Sequence, residues 1–165
     1  MLKVVKCFPE YQFIIAQAPS MPQEVYQELI GNESVSLVQH QTYNLLKQAK
    51  AALVTSGTAT LETALFGVPQ IVCYRGNPVS FWLAKKLVKV KYISLVNLIM
   101  DKQVIKELIQ DDLNEKELTA ELERILNNEE YRASMLHDYN ILWKKLGDNP
   151  ASKKAAAAII RLVSQ

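Results

Sequence analysis

Cysteine and histidine are scarce in this sequence, and their scarcity excludes several classes of protein. Only 2 cysteines and 2 histidines occur among the 165 residues. Cys7 and Cys73 are far apart and lack Cys-x-x-Cys spacing, so we expect two buried thiols in a reducing compartment rather than a disulfide framework. His40 and His137 show no paired spacing, so neither a metal site nor a cofactor is predicted.

Long apolar runs and a strong excess of one charge are also absent. The uncharged stretches are much shorter than the about 20 apolar residues that a membrane-spanning helix needs. No basic segment followed by an apolar one opens the chain, so no secretion signal is predicted. The 19 Lys and Arg nearly balance the 17 Asp and Glu, and nucleic acid is therefore not an expected partner. We expect an intracellular, cytoplasmic chain.

What the sequence does contain is typical of one globular domain. Its apolar share of 49% is enough to bury a core. The length favours a single domain over residues 1–165, with an α/β core at about 10–100 and a helical tail at about 101–165.

The first two-thirds of the chain alternate between short apolar runs and helical patterns. Such near-continuously apolar strands, separated by helices, are typical of a Rossmann-like, doubly wound parallel sheet with both faces covered. The predicted strands are 11–16, 34–38, 52–55 and 70–74, and the predicted helices between and after them are 23–29, 43–50, 58–66 and 79–88.

An α-helical C-terminal third follows Tyr92. The patterns predict helices at 104–110, 114–126, 129–146 and 151–163, of which the second begins with Asn114 and Glu117 at the spacing of a capping box. Residues 2–8 resemble the tail of a helix. Because a doubly wound domain normally begins with a strand, we expect either a sheet that is short by one strand or a chain cut from something longer.

Ser56, Gly57 and Thr58 lie between a predicted strand and the next predicted helix. In an open parallel sheet, ligands bind beyond the carboxyl ends of the strands, and a helix N-terminus there suits a phosphate. Glu62, one turn into the helix, is placed to accept hydrogen bonds from a ribose diol. The alternative is that Thr58 only caps the helix and that Glu62 is a favourable acid in its first turn.

Three further segments carry candidate side chains. Arg75 follows the next strand and is either a forked ligand of a diphosphate or a surface arginine. Asn97 follows an apolar run and, on the residues alone, caps a turn or a helix. A basic amphipathic helix suits an anionic membrane surface, although solvated lysines on a packed helix are the plainer interpretation; its residues are Trp82, Lys85, Lys86 and Lys89.

Taken together, segments between residues 43 and 109 resemble the lipid-A-disaccharide synthases, which are glycosyltransferases of the two-lobed GT-B fold. Each segment is weak alone, but their order is specific. The resemblance continues more loosely to about residue 162. The segments are 43–46, 52–62, 68–69, 74–75, 81–88 and 92–98.

The resemblance implies a definite activity. The family transfers 2,3-diacylglucosamine from its UDP carrier to 2,3-diacylglucosamine 1-phosphate (lipid X) and releases UDP, without a metal, at the cytoplasmic face of the inner membrane. It implies that Ser56, Gly57 and Thr58 face the diphosphate and that Glu62 faces the ribose. Asn97 then matches an asparagine of the nucleotide pocket, and Arg75 serves the phosphates or the acceptor side. The Trp82 helix becomes a membrane-side element, and a homodimer is expected.

The chain also departs from the family's pattern. It resembles only the C-terminal, nucleotide-binding lobe without its first strand and that strand's Gly-Ser-Arg loop, so no catalytic residue is expected within it and the chain alone is expected to be inactive. Two alternatives stay open. One is the lobe of another UDP-sugar enzyme, and the other is a non-catalytic, oligomerising interaction domain.

Overall fold

The strands of the protein form two parallel sheets. The computed structural model describes residues 1–55, 57–77, 91–147 and 151–163. In the first sheet, β1 pairs with β2 from Phe13 opposite Val35 onwards. In the second, β4 lies between β3 and β5, with Ile71 opposite Leu53 on one side and Lys106 on the other. The strands are β1 (Phe13–Ala16), β2 (Val35–Val38), β3 (Ala52–Val54), β4 (Gln70–Tyr74) and β5 (Lys106–Ile109).

Helices connect the parallel strands and fill the C-terminal part, which confirms the mixed α/β prediction. The predicted ranges 129–146 and 151–163 coincide with observed helices. Asn114 is the N-cap of one helix, as predicted, since its side chain accepts a hydrogen bond from the Glu117 amide. The α-helices described are α1 (Gln23–Ile30), α2 (Thr42–Leu46), α3 (Thr58–Leu65), α4 (Leu95–Met100), α5 (Glu115–Asn127), α6 (Glu129–Leu146) and α7 (Ala151–Val163).

The predicted helix at 104–110 is wrong, because this segment contains strand β5. Its apolar spacing suits a helix, but residues 106–109 pair with residues 71–74 of β4 instead. Pairing buries Leu108 to 1% exposure, and such tertiary contacts override a short local pattern. The mispredicted strand β5 lies at the edge of the second sheet, and polar residues interrupt its apolar run.

One smaller prediction about the N-terminal part needs correction. The helix predicted at residues 2–8 is present as a 3₁₀ helix over Leu2–Cys7, but Cys7 is exposed, whereas Cys73 is buried as expected. The short helix turns Val4 and Phe8 towards the core, which leaves Cys7 on the outer side of the segment.

One hydrophobic core joins the second sheet to the helices around it. β4 contributes Ile71, Val72 and Cys73, which are all nearly inaccessible to solvent. Helices α5 and α6 cover them with inward-facing side chains at helical spacing. The inward-facing side chains of α5 and α6 are Leu118, Leu122, Ile125, Met135, Tyr139 and Leu142.

Among the described residues, no helix has the length and apolar character to cross a bilayer.

We expect the two thiols to differ sharply in reactivity. Burial raises the pKa of Cys73 to about 11, so its thiolate fraction at pH 8 is on the order of 10⁻³. Iodoacetamide at pH 8 should therefore modify one thiol of the native chain and both thiols in guanidinium chloride. Mass spectrometry of Cys7→Ser and Cys73→Ser variants assigns the site. Modification of native Cys73 at a rate similar to that of Cys7 would contradict the packing described above.

Candidate functional site

The carboxyl ends of β3, β4 and β5 meet at one edge of the second sheet, because the three strands are parallel. From this edge β3 leads to Gly57 and α3, β4 leads to Arg75, and β5 leads to a turn at Gln110. Ligands of open α/β sheets bind at this edge. The predicted site residues that the structure describes lie in the turns after β3 and β4, in α3 and in α4.

Gly57 forms the turn into α3. Its φ of 76° and ψ of −150° lie in a region that is essentially restricted to glycine. Gly57 is the N-cap residue and α3 has no side-chain cap, so Thr58 does not cap the helix as the plainer alternative held. The carbonyl of Gly57 accepts hydrogen bonds from the amide and the hydroxyl of Thr60, at 3.2 and 2.8 Å.

This turn leaves the N-terminus of α3 accessible. Gly57 and Thr58 are exposed, whereas Thr60 is buried and uses its hydroxyl within the turn. The first amides of a helix lack partners inside it and carry the positive end of its dipole. An anion therefore has both space and hydrogen-bond donors here. Ser56 lies outside the described residues.

Glu62 lies one turn further along α3 and lines an open depression of about 430 Å³. The other wall is the loop and first turn of α2, from His40 to Asn44. Tyr43 stacks on Phe66, the C-cap residue of α3, with ring centroids 5.2 Å apart, and this contact joins the two walls. The sequence interpretation missed this wall. Its only local signal is the polar run between β2 and α2.

Arg75 extends from the end of β4 towards the turn after β5. Its Nη2 atom donates to the carbonyls of Gln110 and Leu113, at 3.3 and 3.1 Å. The side chain of Gln110 in turn pairs with the main chain of Gly76, accepting from its N–H at 2.8 Å and donating to its carbonyl at 3.2 Å. The guanidinium is exposed and its position is fixed by these carbonyls.

Asn97 lies within α4 and is completely buried. Its Oδ1 accepts from the amides of Val104 and Ile105, at 2.8 and 3.0 Å. Its Nδ2 donates to the Ile105 carbonyl at 2.9 Å and to Glu107 Oε1 at 2.8 Å. These four bonds use the hydrogen-bonding capacity of the amide. Asn97 therefore holds the loop that leads into β5, and Ser94 is the N-cap of α4 instead.

Glu107 is a site residue that the sequence interpretation missed, because it assigned residue 107 to a helix. From β5 its carboxylate reaches the segment before α4, where it accepts hydrogen bonds from Ile93 and Ser94. Ser94 also forms a parallel β-bridge with Gly57. The structure thus connects Asn97, Glu107, Ser94 and Gly57 in one polar chain of contacts.

The predicted membrane-side residues cannot be placed in this arrangement. Trp82, Lys85, Lys86 and Lys89 all lie outside the described residues. The described part of the site therefore consists of the α3 N-terminus, the Glu62 depression and the turns held by β5.

The α/β architecture with its ligand edge is that of GT-B glycosyltransferases. A crystal structure of the glycosyltransferase VinC in complex with dTDP is similar to 99% of this chain, with a TM-score of 0.55. The similarity covers 37% of the VinC chain at 15% sequence identity, and at this identity it shows the fold alone.

Sequence similarity identifies the family to which the chain belongs. The family model described as lipid-A-disaccharide synthetase matches residues 2–161, and the chain belongs to this family. The lipid-A-disaccharide synthase of Trichlorobacter lovleyi is 30% identical over 97% of this chain. That of Syntrophus aciditrophicus is 34% identical over 100% of it. The chain covers 42% and 45% of these two relatives, so it spans less than half of their length.

We expect Asn97→Asp to destabilise the fold strongly at neutral pH. The change places a second carboxylate oxygen against Glu107 Oε1, where Nδ2 now donates at 2.8 Å, and an uncompensated buried charge costs about 3–5 kcal/mol. Repulsion raises the folded-state pKa of the carboxyl pair above its unfolded value. The deficit against wild type is therefore greatest at pH 7.5 and shrinks as the pH falls through that raised pKa.

Urea unfolding at pH 7.5 and pH 5 measures this difference. Asn44→Asp is the matched control, since Asn44 is exposed on α2 and the change should cost less than about 0.5 kcal/mol. Equal stability of the two variants at pH 7.5 would show that Asn97 is not held as described.

Proposed function

We propose that this chain is the nucleotide-sugar-binding, C-terminal lobe of a lipid-A-disaccharide synthase. The whole protein would transfer 2,3-diacylglucosamine from its UDP carrier to 2,3-diacylglucosamine 1-phosphate and release UDP. The observation that carries the proposal is the family match over residues 2–161, which includes every described element of the carboxyl edge. The chain alone binds the nucleotide part of the donor and turns nothing over.

The geometry supports a definite placement of UDP. The diphosphate lies at the N-terminus of α3, where Gly57 lets the main chain approach and the helix amides and dipole favour negative charge. We assign further contacts with the diphosphate to Ser56 and Thr58, the neighbours of Gly57 in the sequence. Glu62 accepts hydrogen bonds from the ribose hydroxyls at the rim of the depression that it lines, and that depression receives the rest of the nucleoside. Asn97 contributes without touching the ligand, because its side chain holds the loop that leads into β5.

The chain's chemical contribution is to the leaving group. When the bond from the sugar to the diphosphate breaks, negative charge grows on the diphosphate, and donors already aimed at it lower the barrier. The α3 amides supply such donors, and Arg75 supplies a fixed cation at the same edge. Attack by the acceptor hydroxyl also needs a general base. We assign that base to the part of the whole protein that lies outside this chain.

Titration calorimetry of UDP into the chain tests this proposal. We expect saturable binding that Glu62→Ala weakens about tenfold or more, because hydrogen bonds to a charged group contribute about 1.5–3 kcal/mol. Glu123→Ala is the matched control, since Glu123 is exposed on α5, and it should bind like wild type. Absence of binding at millimolar UDP would refute a nucleotide site in this chain.

A second candidate function is a partner-binding domain. Apolar side chains are exposed towards the end of α7, where Ile159, Leu162 and Val163 are 60%, 76% and 79% accessible, and such exposure favours association. Light scattering on the calorimetry samples distinguishes the candidates. An oligomer without UDP binding supports this second function, whereas UDP binding by a monomer or a dimer supports the first.

We further propose that the segment carrying Trp82, Lys85, Lys86 and Lys89, for which the sequence predicts a helix, contacts an anionic membrane surface, because donor and acceptor of the proposed reaction both carry acyl chains. Each lysine near such a surface contributes about 1 kcal/mol. Cosedimentation with phosphatidylglycerol vesicles should exceed that with phosphatidylcholine vesicles. It should fall by about tenfold or more when the three lysines become alanine.

The control for this measurement changes three lysines elsewhere on the surface, all exposed, and so matches the lost charge; they are Lys3, Lys116 and Lys144. If both triple variants lose binding equally, net charge alone explains the attraction and the membrane-side helix is excluded.

A further inference from the structure

The carboxylate of Glu107 is surrounded by hydrogen-bond donors. Its Oε2 accepts from the Ile93 amide at 2.9 Å. Its Oε1 accepts from the Ser94 amide at 3.0 Å, the Ser94 hydroxyl at 2.7 Å and Asn97 Nδ2 at 2.8 Å. Three of the four donors belong to the two residues that precede α4, so the carboxylate fixes the main chain at that point.

Only a side chain that accepts hydrogen bonds on both of its terminal atoms fits this environment. An ionised carboxylate has no proton to place and can accept on every side. A glutamine of the same shape would direct an NH₂ group either at the Ile93 amide or at the three donors around Oε1. One donor would then face another, and a buried donor without an acceptor costs about 1–3 kcal/mol.

The segment that Glu107 fixes is in contact with the glycine turn. Ser94 forms a parallel β-bridge with Gly57, across the gap between the end of β3 and the start of α4. Gly57 also accepts two hydrogen bonds from Thr60 of its own helix, at 2.8 and 3.2 Å. The bridge therefore ties the position of the turn at Gly57 to that of Ser94.

We propose that Glu107 is a positioning residue for the anion-binding turn at Gly57. It does not touch the ligand. It holds Ser94, and Ser94 holds Gly57 by main-chain pairing, so the orientation of the first α3 amides depends on a carboxylate two strands away. For its effect on UDP the proposal rests on the function proposed above, whereas its effect on the turn is independent of any ligand.

Nuclear magnetic resonance without nucleotide tests the effect on the turn. The chain has 5 glycines, whose amide signals form a separate region of the ¹H–¹⁵N spectrum, so Gly57 is readily followed. Glu107→Gln should shift the Gly57 and Thr58 signals, and Glu123→Gln should leave them in place. Ser94→Ala should give a smaller shift, because it removes one bond to the carboxylate and keeps the main-chain bridge.

A merely structural role predicts a different pattern. If Glu107 only stabilised the fold, Glu107→Gln would accelerate amide exchange throughout the sheet, including Ile71 and Val72 of β4, and leave the Gly57 signal unmoved. That result overturns the proposal. Should Glu107→Gln fail to fold, Ser94→Ala decides alone, and an unmoved Gly57 signal in that variant likewise overturns it.

UDP titration then tests the consequence for binding. We expect about tenfold weaker binding for Glu107→Gln, since a small misplacement of positioned groups is costly, with Glu123→Gln as control and with unfolding monitored to show that both variants are folded. Unchanged affinity despite a shifted turn would overturn the link to binding. If wild type itself binds no UDP, the proposed function fails, while the spectra still decide whether Glu107 positions the turn.

Discussion

A half-buried carboxylate that accepts hydrogen bonds from four donors connects the parts of this site that are distant in sequence. Glu107 lies on the edge strand β5, yet its partners are the residues before α4, and through them the turn after β3. Asn97 completes the arrangement by donating to the same carboxylate while it accepts from two amides of the loop leading to β5. Loss of any member would leave a buried polar group without a partner, and this interdependence makes such networks rigid.

The central strand β4 pairs with both strands whose ends carry this network. It pairs with strands on both sides and contributes three consecutive core residues, so the carboxyl ends of β3 and β5 keep a constant separation. The helices α5 and α6 press against the same core, and the loops at the edge have little freedom relative to the sheet. The turns of the candidate site are therefore attached to a sheet whose central strand is buried in the core, an arrangement that favours preorganised binding.

Local pattern was sufficient for the elements with a clear apolar run or a clear helical period. The strand runs that became β1 to β4 and the long helices α6 and α7 are recognisable because their apolar residues follow a clear period or run. The edge strand β5 was missed, since Lys106 and Glu107 interrupt its apolar residues and only pairing with β4 distinguishes it from a helix. The role of Asn97 depends on that same pairing, because its partners at 104–107 are brought near only when β5 forms. Cys7 was misjudged for a related reason, since a 3₁₀ turn directs its neighbours inwards.

The side chains that hold the edge loops share one property. Arg75 binds two carbonyls, Gln110 binds the amide and carbonyl of Gly76, and Glu107 binds the amides of Ile93 and Ser94. Arg75 and Gln110 make these bonds to main-chain atoms alone, and Glu107 accepts two of its four bonds from main-chain amides; main-chain atoms are present whatever the partner's side chain is. Sequence drift within the family can therefore change many residues of these loops without loosening them. Arg75, Gln110 and Glu107 cannot be exchanged so freely, because their side chains make these bonds. The shape of the site depends on them.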